Sequence, residues 1–340
     1  MAARQRKTAP RKATSSRRKT AVPSRKATSS RRRRRLTSLL LVLVIVAAGI
    51  FYALQKPERK DDINRLLHKQ LTRAKRFNAT ELARELWLLF HRDAVKYDGD
   101  ISGSGELPSH IFGGLPVVTA EGRDILVLHN LGYSVGYDDE RKNPAWVAYR
   151  LFTVSDDISI AERPGQFNVD FRSTAQVRSE DYTGSGFDRG HMAPNYAIAR
   201  CYGPAAQIET FLMTNISPQR HALNAGVWKE VEMLEAKDYA QNLEEIWVFC
   251  GPIFSPTRLR ELPSGIPIPD SFYKIVIDKQ HGALRVIAFI FSQNSSSKTT
   301  AADGLCCVDD IEAATGLDFF PELPEEIQAQ LESVVPKGLW

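Results

Sequence analysis

The chain has 340 residues, 43% of them hydrophobic, which is enough for one large domain or two small ones and excludes a protein disordered throughout. Its net charge of +5 is unevenly spread: residues 1–35 carry 15 Lys or Arg and no acid, leaving 30 bases against all 40 acids beyond them, a balance of −10. A polyanion bound by that later part must meet a local basic patch in an acidic surface.

The first 35 residues repeat RKATSSRR at 11–18 and 25–32 and show no apolar period, so they read as a disordered basic tail. Solvation alone, or salt-sensitive attraction to anionic lipid or nucleic acid, are its readings. Residues 36–54, LTSLLLVLVIVAAGIFYAL, carry no charge. As a helix they would span about 28 Å, one bilayer core. The run exceeds a signal-peptide core, so it reads as an uncleaved transmembrane helix. Arg31–Arg35 hold its N-terminal side in the cytoplasm and send the rest to a periplasmic or other extracytoplasmic side. A mitochondrial leader is the alternative, with the protein at the inner membrane facing the intermembrane space.

Residues 55–108 are expected to form a helical stalk, with Asn78 as an N-cap, and a linker over 99–108. The domain proper is expected over 109–328, with a tail over 329–340. Within it, DILVLHN, AWVAYRLF, EIWVFCGPIF, FYKIVID and LRVIAFIF read as strands. Helical patterns cover Asn224–Tyr239 and Val308–Thr315, the latter stopped by Gly316. The class is α+β or mixed α/β with a central, mostly antiparallel sheet and flanking helices. Cys201, Cys250, Cys306 and Cys307 lack CxxC spacing, which argues for buried free thiols, with a Cys201–Cys250 bridge as the oxidising alternative.

The segment GFDRGHMAPN at 186–195 sets Asp188, Arg189, Gly190 and His191 in a row. Gly184, Gly186 and Gly190 allow a tight path around them, and His191 is a reasonable general base near neutral pH. A base alone does not cleave a phosphodiester, because charge builds on the phosphoryl and leaving oxygens and something positive must meet it. Asn224 offers a hard neutral oxygen suited to hydrated Mg²⁺. Asn224, Trp228 and Glu232 fall at i, i+4 and i+8, on one helical stripe. Taken singly, His191 also reads as a structural histidine and Asn224 as an N-cap.

Together with ERPGQFNVD upstream and TNISPQRHALNAGVWKEVE downstream, DRGH resembles the DNA/RNA non-specific endonucleases, the family of Serratia-type nucleases and mitochondrial endonuclease G. The resemblance covers about residues 109–320 and implies an α+β fold with a ββα-metal catalytic core. It implies His191 as general base, Asn224 as the single direct ligand of Mg²⁺, Mn²⁺ or another divalent cation, and products ending in 5′-phosphate. Arg163 would stabilise transition-state charge, Arg189 would hold the loop or contact phosphate, Asn215 would orient the site, and Glu232 would fix the metal's water shell.

His221 is a competing base or a helix cap, and Arg163, Arg172, Arg178 and Arg189 are candidates for a basic groove. The resulting expectation is a membrane-anchored endonuclease acting on DNA and RNA with little sequence specificity, with a homodimer compatible with it. Its rival is a catalytically inactive, membrane-tethered nucleic-acid-binding or scaffolding protein.

Overall fold

The structure, a computed structural model, describes residues 51–57, 59–60, 63–65, 86–87, 91, 93–97, 99–101, 108–119, 122–155, 157–255, 257 and 259–340. The basic tail, residues 36–50 of the apolar run, the Asn78 cap and most of the expected linker lie outside them. No helix among the described residues is long and apolar enough to cross a membrane. The chain divides into two units, 1–74 and 75–340. In the first, the Tyr52 hydroxyl donates to Asn64 Oδ1 at 3.0 Å.

The second unit is built on one sheet. Its strands are β1 (Val95–Lys96), β2 (Leu126–His129), β3 (Tyr133–Asp138) and β4 (Asn143–Phe152). A separate pair, β5 (Asp188–His191) and β6 (Ile216–Gln219), intervenes in the chain. The sheet then resumes with β7 (Glu245–Ile253), β8 (Ser271–Gln280), β9 (Ala283–Ser292) and β10 (Leu305–Cys306). The order is β1-β9-β8-β7-β4-β3-β2, with β10 also on β9, and each pairing is antiparallel. The five expected strands are all present. Residues 95–96, expected within a stalk, pair instead with Leu284 and Ala283 at the sheet edge.

Side-chain alternation splits the core in two. Val147, Tyr149, Leu151, Val248, Cys250, Phe272 and Val276 point to one face. Trp146, Ala148, Trp247, Phe249, Tyr273, Ile275 and Ile277 point to the other. Because both faces are covered, these strands read as mostly apolar runs rather than as strict alternation.

The first face carries α1 (Asn195–Glu209) and a helical run over 221–242, α2. Helix α1 breaks at Gly203, whose φ of 83° is left-handed, with Pro204 starting the next turn. Run α2 passes through π-helical turns at Asn224–Trp228 and Glu235–Tyr239. The second face carries α3 (Val308–Thr315), which ends on Gly316 at φ 67° as expected, and α4 (Glu325–Glu332). Residues 329–340, expected as a tail, include the end of α4. There Leu331 is buried and the Arg285 guanidinium lies 4.4 Å from the Trp340 ring centroid. All four cysteines are free thiols, Cys250 and Cys307 buried.

Candidate active site

Strands β5 and β6 pair antiparallel, His191 opposite Ile216 and Gly190 opposite Ser217, and α2 follows directly, giving a two-strand-and-helix unit. Gly184 and Gly186 take φ of 71° and 77°, which turns the chain into β5. Gly190 has a different reason: a Cβ there would lie 2.0 Å from Oε1 of buried Gln219.

The backbone leaving β5 is pinned at successive carbonyls. Trp228 Nε1 donates to His191 O at 3.1 Å, the Cys250 thiol to Met192 O at 3.4 Å, and Asn215 Nδ2 to Ala193 O at 3.1 Å. Asn215 also donates to Thr210 O at 2.9 Å and accepts from Ala193 N at 2.8 Å. It is fully buried, so it fixes the backbone after His191 from behind the cleft.

Arg163, Arg189, His191, Asn195, Tyr196, Asn224, Ala225, Lys229, Glu232 and Met233 line an open cleft of about 300 Å³. Five of the six expected site residues meet there, Asn215 being the one that does not. Asn224 and Glu232 both line the cleft, but the single stripe expected for Asn224, Trp228 and Glu232 is not kept: the chain passes through a π-helical turn at Asn224–Trp228, and Trp228 turns inward and is buried.

His191 is 8% exposed and sits among aromatic rings, its centroid 5.4 Å from that of Phe167 and 4.9 Å from that of Phe211. Neither ring nitrogen has a hydrogen-bond partner among the described residues, and Nε2 is fully buried. Burial penalises the imidazolium and the Arg163 charge repels it, so its pKa falls to about 3. The neutral, proton-accepting form therefore prevails at neutral pH.

Asn224 Nδ2 donates to Asp188 Oδ2 at 2.9 Å. A carboxylate only accepts, so this contact fixes the amide orientation and leaves Oδ1 with no protein donor among the described residues. His221 Nδ1 binds the same Asp188 oxygen at 2.8 Å with its side chain 81% exposed; it is not among the residues lining the cleft, and it makes no cap bond to the helix that it starts. The Glu232 carboxyl is pushed up to about 7, first by burial and further by Glu235, against the pull of Lys274.

Arg163 lies over Phe211, its guanidinium carbon 5.4 Å from the ring centroid. Arg189 spends its donors on Ser179 O and Thr183 Oγ1 and lies over Phe167 and Tyr182, so it braces the turn before β5. Of the four arginines expected to form a basic groove, Arg163 and Arg189 line this cleft and Arg172 and Arg178 do not. Arg172 is tied to Asp170 at 2.7 Å and to Asn130 at 2.9 Å. Lys229 supplies the further positive charge instead. Sequence reasoning passed over Lys229, Tyr196 and Asn195, although Asn195 closes the GFDRGHMAPN segment.

A family model for the DNA/RNA non-specific endonucleases matches residues 116–326. The chain is 28% identical to mitochondrial nuclease EXOG of Xenopus laevis over 229 residues, 63% of this chain and 62% of that protein. It is 30% identical to a nuclease of Nostoc sp. (60% and 76% covered) and 28% identical to a nuclease of Serratia marcescens (59% and 77%). The chain spans 62%, 67%, 56% and 56% of the lengths of the frog, zebrafish, mouse and human EXOG proteins. A crystal structure of the EndoG/EndoGI complex shares the fold, with a TM-score of 0.54 and 22% identity over 61% of this chain and 89% of that one.

Proposed function

The chain belongs to the DNA/RNA non-specific endonuclease family, and from that premise we propose that it hydrolyses phosphodiester bonds of DNA and RNA with little sequence preference, using a divalent cation. The observation that carries this reading is the meeting, in one cleft, of a neutral, unpartnered His191, an Asn224 whose amide oxygen has no protein donor, and the Arg163 cation.

The residues fit a hydrated divalent cation such as Mg²⁺ or Mn²⁺. Asn224 would hold it through Oδ1, and Glu232, lining the same cleft, would order its water shell. When bound, such an ion supplies positive charge for the phosphate oxygens in the transition state.

His191 takes the proton from the attacking water. Its depressed basicity recovers as the phosphate's negative charge arrives beside the ring, since a nearby anion favours the imidazolium. Arg163 meets charge developing on the phosphate. Asn215, Trp228 and the Arg189-braced turn hold His191 in place. Contact with backbone phosphate rather than base edges accounts for low sequence preference.

The same proposal includes a nuclease domain over 109–328, extended by the edge strand Val95–Lys96 and by the packed residues 329–340, and a membrane anchor over residues 36–54 with the nuclease domain on its far side. Support for the anchor is the uncharged run flanked by Arg31–Arg35; the mitochondrial names of the EXOG relatives favour the mitochondrial compartment. Protease added outside intact mitoplasts should digest the C-terminal unit, and full protection overturns that orientation.

Activity is tested with the full chain on plasmid DNA and on RNA. Cleavage of both should stop with chelator and return with Mg²⁺ or Mn²⁺. Asn224→Ala should require a much higher metal concentration, and metal-independent cleavage would overturn the proposal.

A further inference from the structure

The second face of the sheet carries a cluster that the catalytic reading does not use. Asp309 lies in the first turn of α3 and Glu312 one turn later, while Glu332 is the last residue of α4. The two helices are brought together by their apolar sides, Val308 and Ile311 packing into the same core as Ile327 and Leu331. The carboxylates meet as a consequence, with one oxygen from each lying within 4.8 Å of the other two.

Glu332 does not sit there cheaply. It is 6% exposed, and its Oε1 is buried with no hydrogen-bond partner. It occupies the C-terminal end of a helix whose last turn holds no basic residue, where the helix dipole disfavours negative charge. The charged groups acting on it are Glu312, Asp318 and Asp309, all acidic. None of Asp309, Glu312 or Glu332 is in an ion pair among the described residues. Glu312 Oε1 accepts from Phe319 N at 2.8 Å, which helps to orient that carboxylate. Burial and the three neighbouring acids push the Glu332 carboxyl up to about 8, so the cluster is neutralised either by a retained proton or by a cation bound among the three carboxylates.

We propose that Asp309, Glu312 and Glu332 form a calcium site that ties α3 to α4. Ca²⁺ binds oxygen at about 2.3–2.6 Å, so two ligands on opposite sides of it stand about 4.6–5.2 Å apart, whereas Mg²⁺ at about 2.0–2.1 Å draws them to about 4.2 Å. Three oxygens all within 4.8 Å of one another fall inside one Ca²⁺ coordination sphere, whose irregular geometry tolerates such a set, whereas Mg²⁺ demands a near-ideal octahedron. Exposed Asp309 leaves the open side of the site to water. With carboxylates from two elements and no other protein ligand, the affinity belongs in the range of roughly 10⁻⁴–10⁻³ M.

The test is thermal unfolding of the full chain in the Asn224→Ala background, which silences the proposed catalytic cation, in EDTA, in Mg²⁺ and in Ca²⁺ at about ten times the dissociation constant. Ca²⁺ should raise the midpoint by about 2–3 °C, and Mg²⁺ by less. Adding Glu332→Gln should abolish the Ca²⁺ shift while the midpoint in EDTA stays equal or rises, because a buried charge is gone. Asp309→Asn, at an exposed position, should weaken the Ca²⁺ response with the EDTA midpoint unchanged, and it decides the matter should Glu332→Gln fail to fold. Absence of a Ca²⁺ shift in the parent, as carboxyls sharing a proton would give, overturns the proposal. So does a shift that survives both substitutions.

Discussion

Under α2, one face of the sheet buries Lys274 and Glu235 completely, yet their charges lie 3.0 Å apart and Tyr149 bridges them, donating to Glu235 at 2.7 Å and accepting from Lys274 at 2.9 Å. Under α3 and α4, the other face gathers Asp309, Glu312 and Glu332 with no protein cation. On the first face the buried charges are neutralised inside the protein, and in the cleft His191 is an ionisable side chain left without a partner. On the second, Glu332 is an ionisable side chain left without a partner, far along the chain from the motif. Buried polar groups without partners are costly, so each marks where something outside the chain is expected to bind.

Breaking the pairing on the first face should have the largest effect on stability. Lys274→Met leaves Glu235 buried and unpaired and should cost about 3–5 kcal/mol by chemical denaturation, most of it recovered when Glu235→Leu is added. A single variant as stable as the parent would mean that water reaches this pair. The Lys274 ammonium also lies 4.6 Å from the Trp228 ring centroid, so the loss should spread to the backbone that holds His191.

Asn215→Ala removes a buried amide serving Ala193 and Thr210 and should cost about 1–3 kcal/mol for each backbone group left unpaired. Because Asn215 lies behind the cleft, cleavage should fall through kcat with little change in KM. A pure KM effect would place it at the substrate instead.

The pH dependence follows from His191. Its folded pKa, about 3, lies below the unfolded value near 6.5, so the unfolded chain binds the proton more readily. The stability that neutral His191 contributes is complete above about pH 6.5 and is lost as pH falls toward 3, at up to about 1.4 kcal/mol per pH unit. His191→Asn should flatten that part of the stability curve. An unchanged slope between pH 6.5 and 4 would show a solvated imidazole.

A smaller effect is expected from Trp228→Phe, which removes one hydrogen bond to His191 O, at about 0.5–1.5 kcal/mol, and adds the cost of a smaller ring in a buried site, about 1 kcal/mol. Calcium-dependent stability should be untouched by any change on this face.

Much of the sheet was legible because its strands are buried on both sides, which leaves runs such as FYKIVID and LRVIAFIF mostly apolar, interrupted by Lys274, Asp278 and Arg285, each buried in an ion pair. Helix α1 was missed because Gly203 and Pro204 punctuate it as a turn, although the chain resumes helical geometry beyond the break. Val95–Lys96 is too short to announce a strand and exists through its pairing with β9. In the site, the Asn224–Glu232 spacing was readable because both residues stay on the cleft side across the π-helical turn. Arg172 and Arg178 could not be separated from Arg163 and Arg189 by composition. What separates them is tertiary: Asp170 and Asn130 hold the Arg172 guanidinium elsewhere. Lys229 and Tyr196 reach the cleft only because two helices converge on it, which local pattern does not encode.

The central claim is that His191, dry and unpartnered, is the base. Single-turnover cleavage of DNA by His191→Ala at saturating metal, with and without added imidazole, tests it most directly. Cleavage should fall by about 10²–10⁴-fold and be partly restored by imidazole in a concentration-dependent way. Cleavage by His191→Ala at the parent rate would contradict the account.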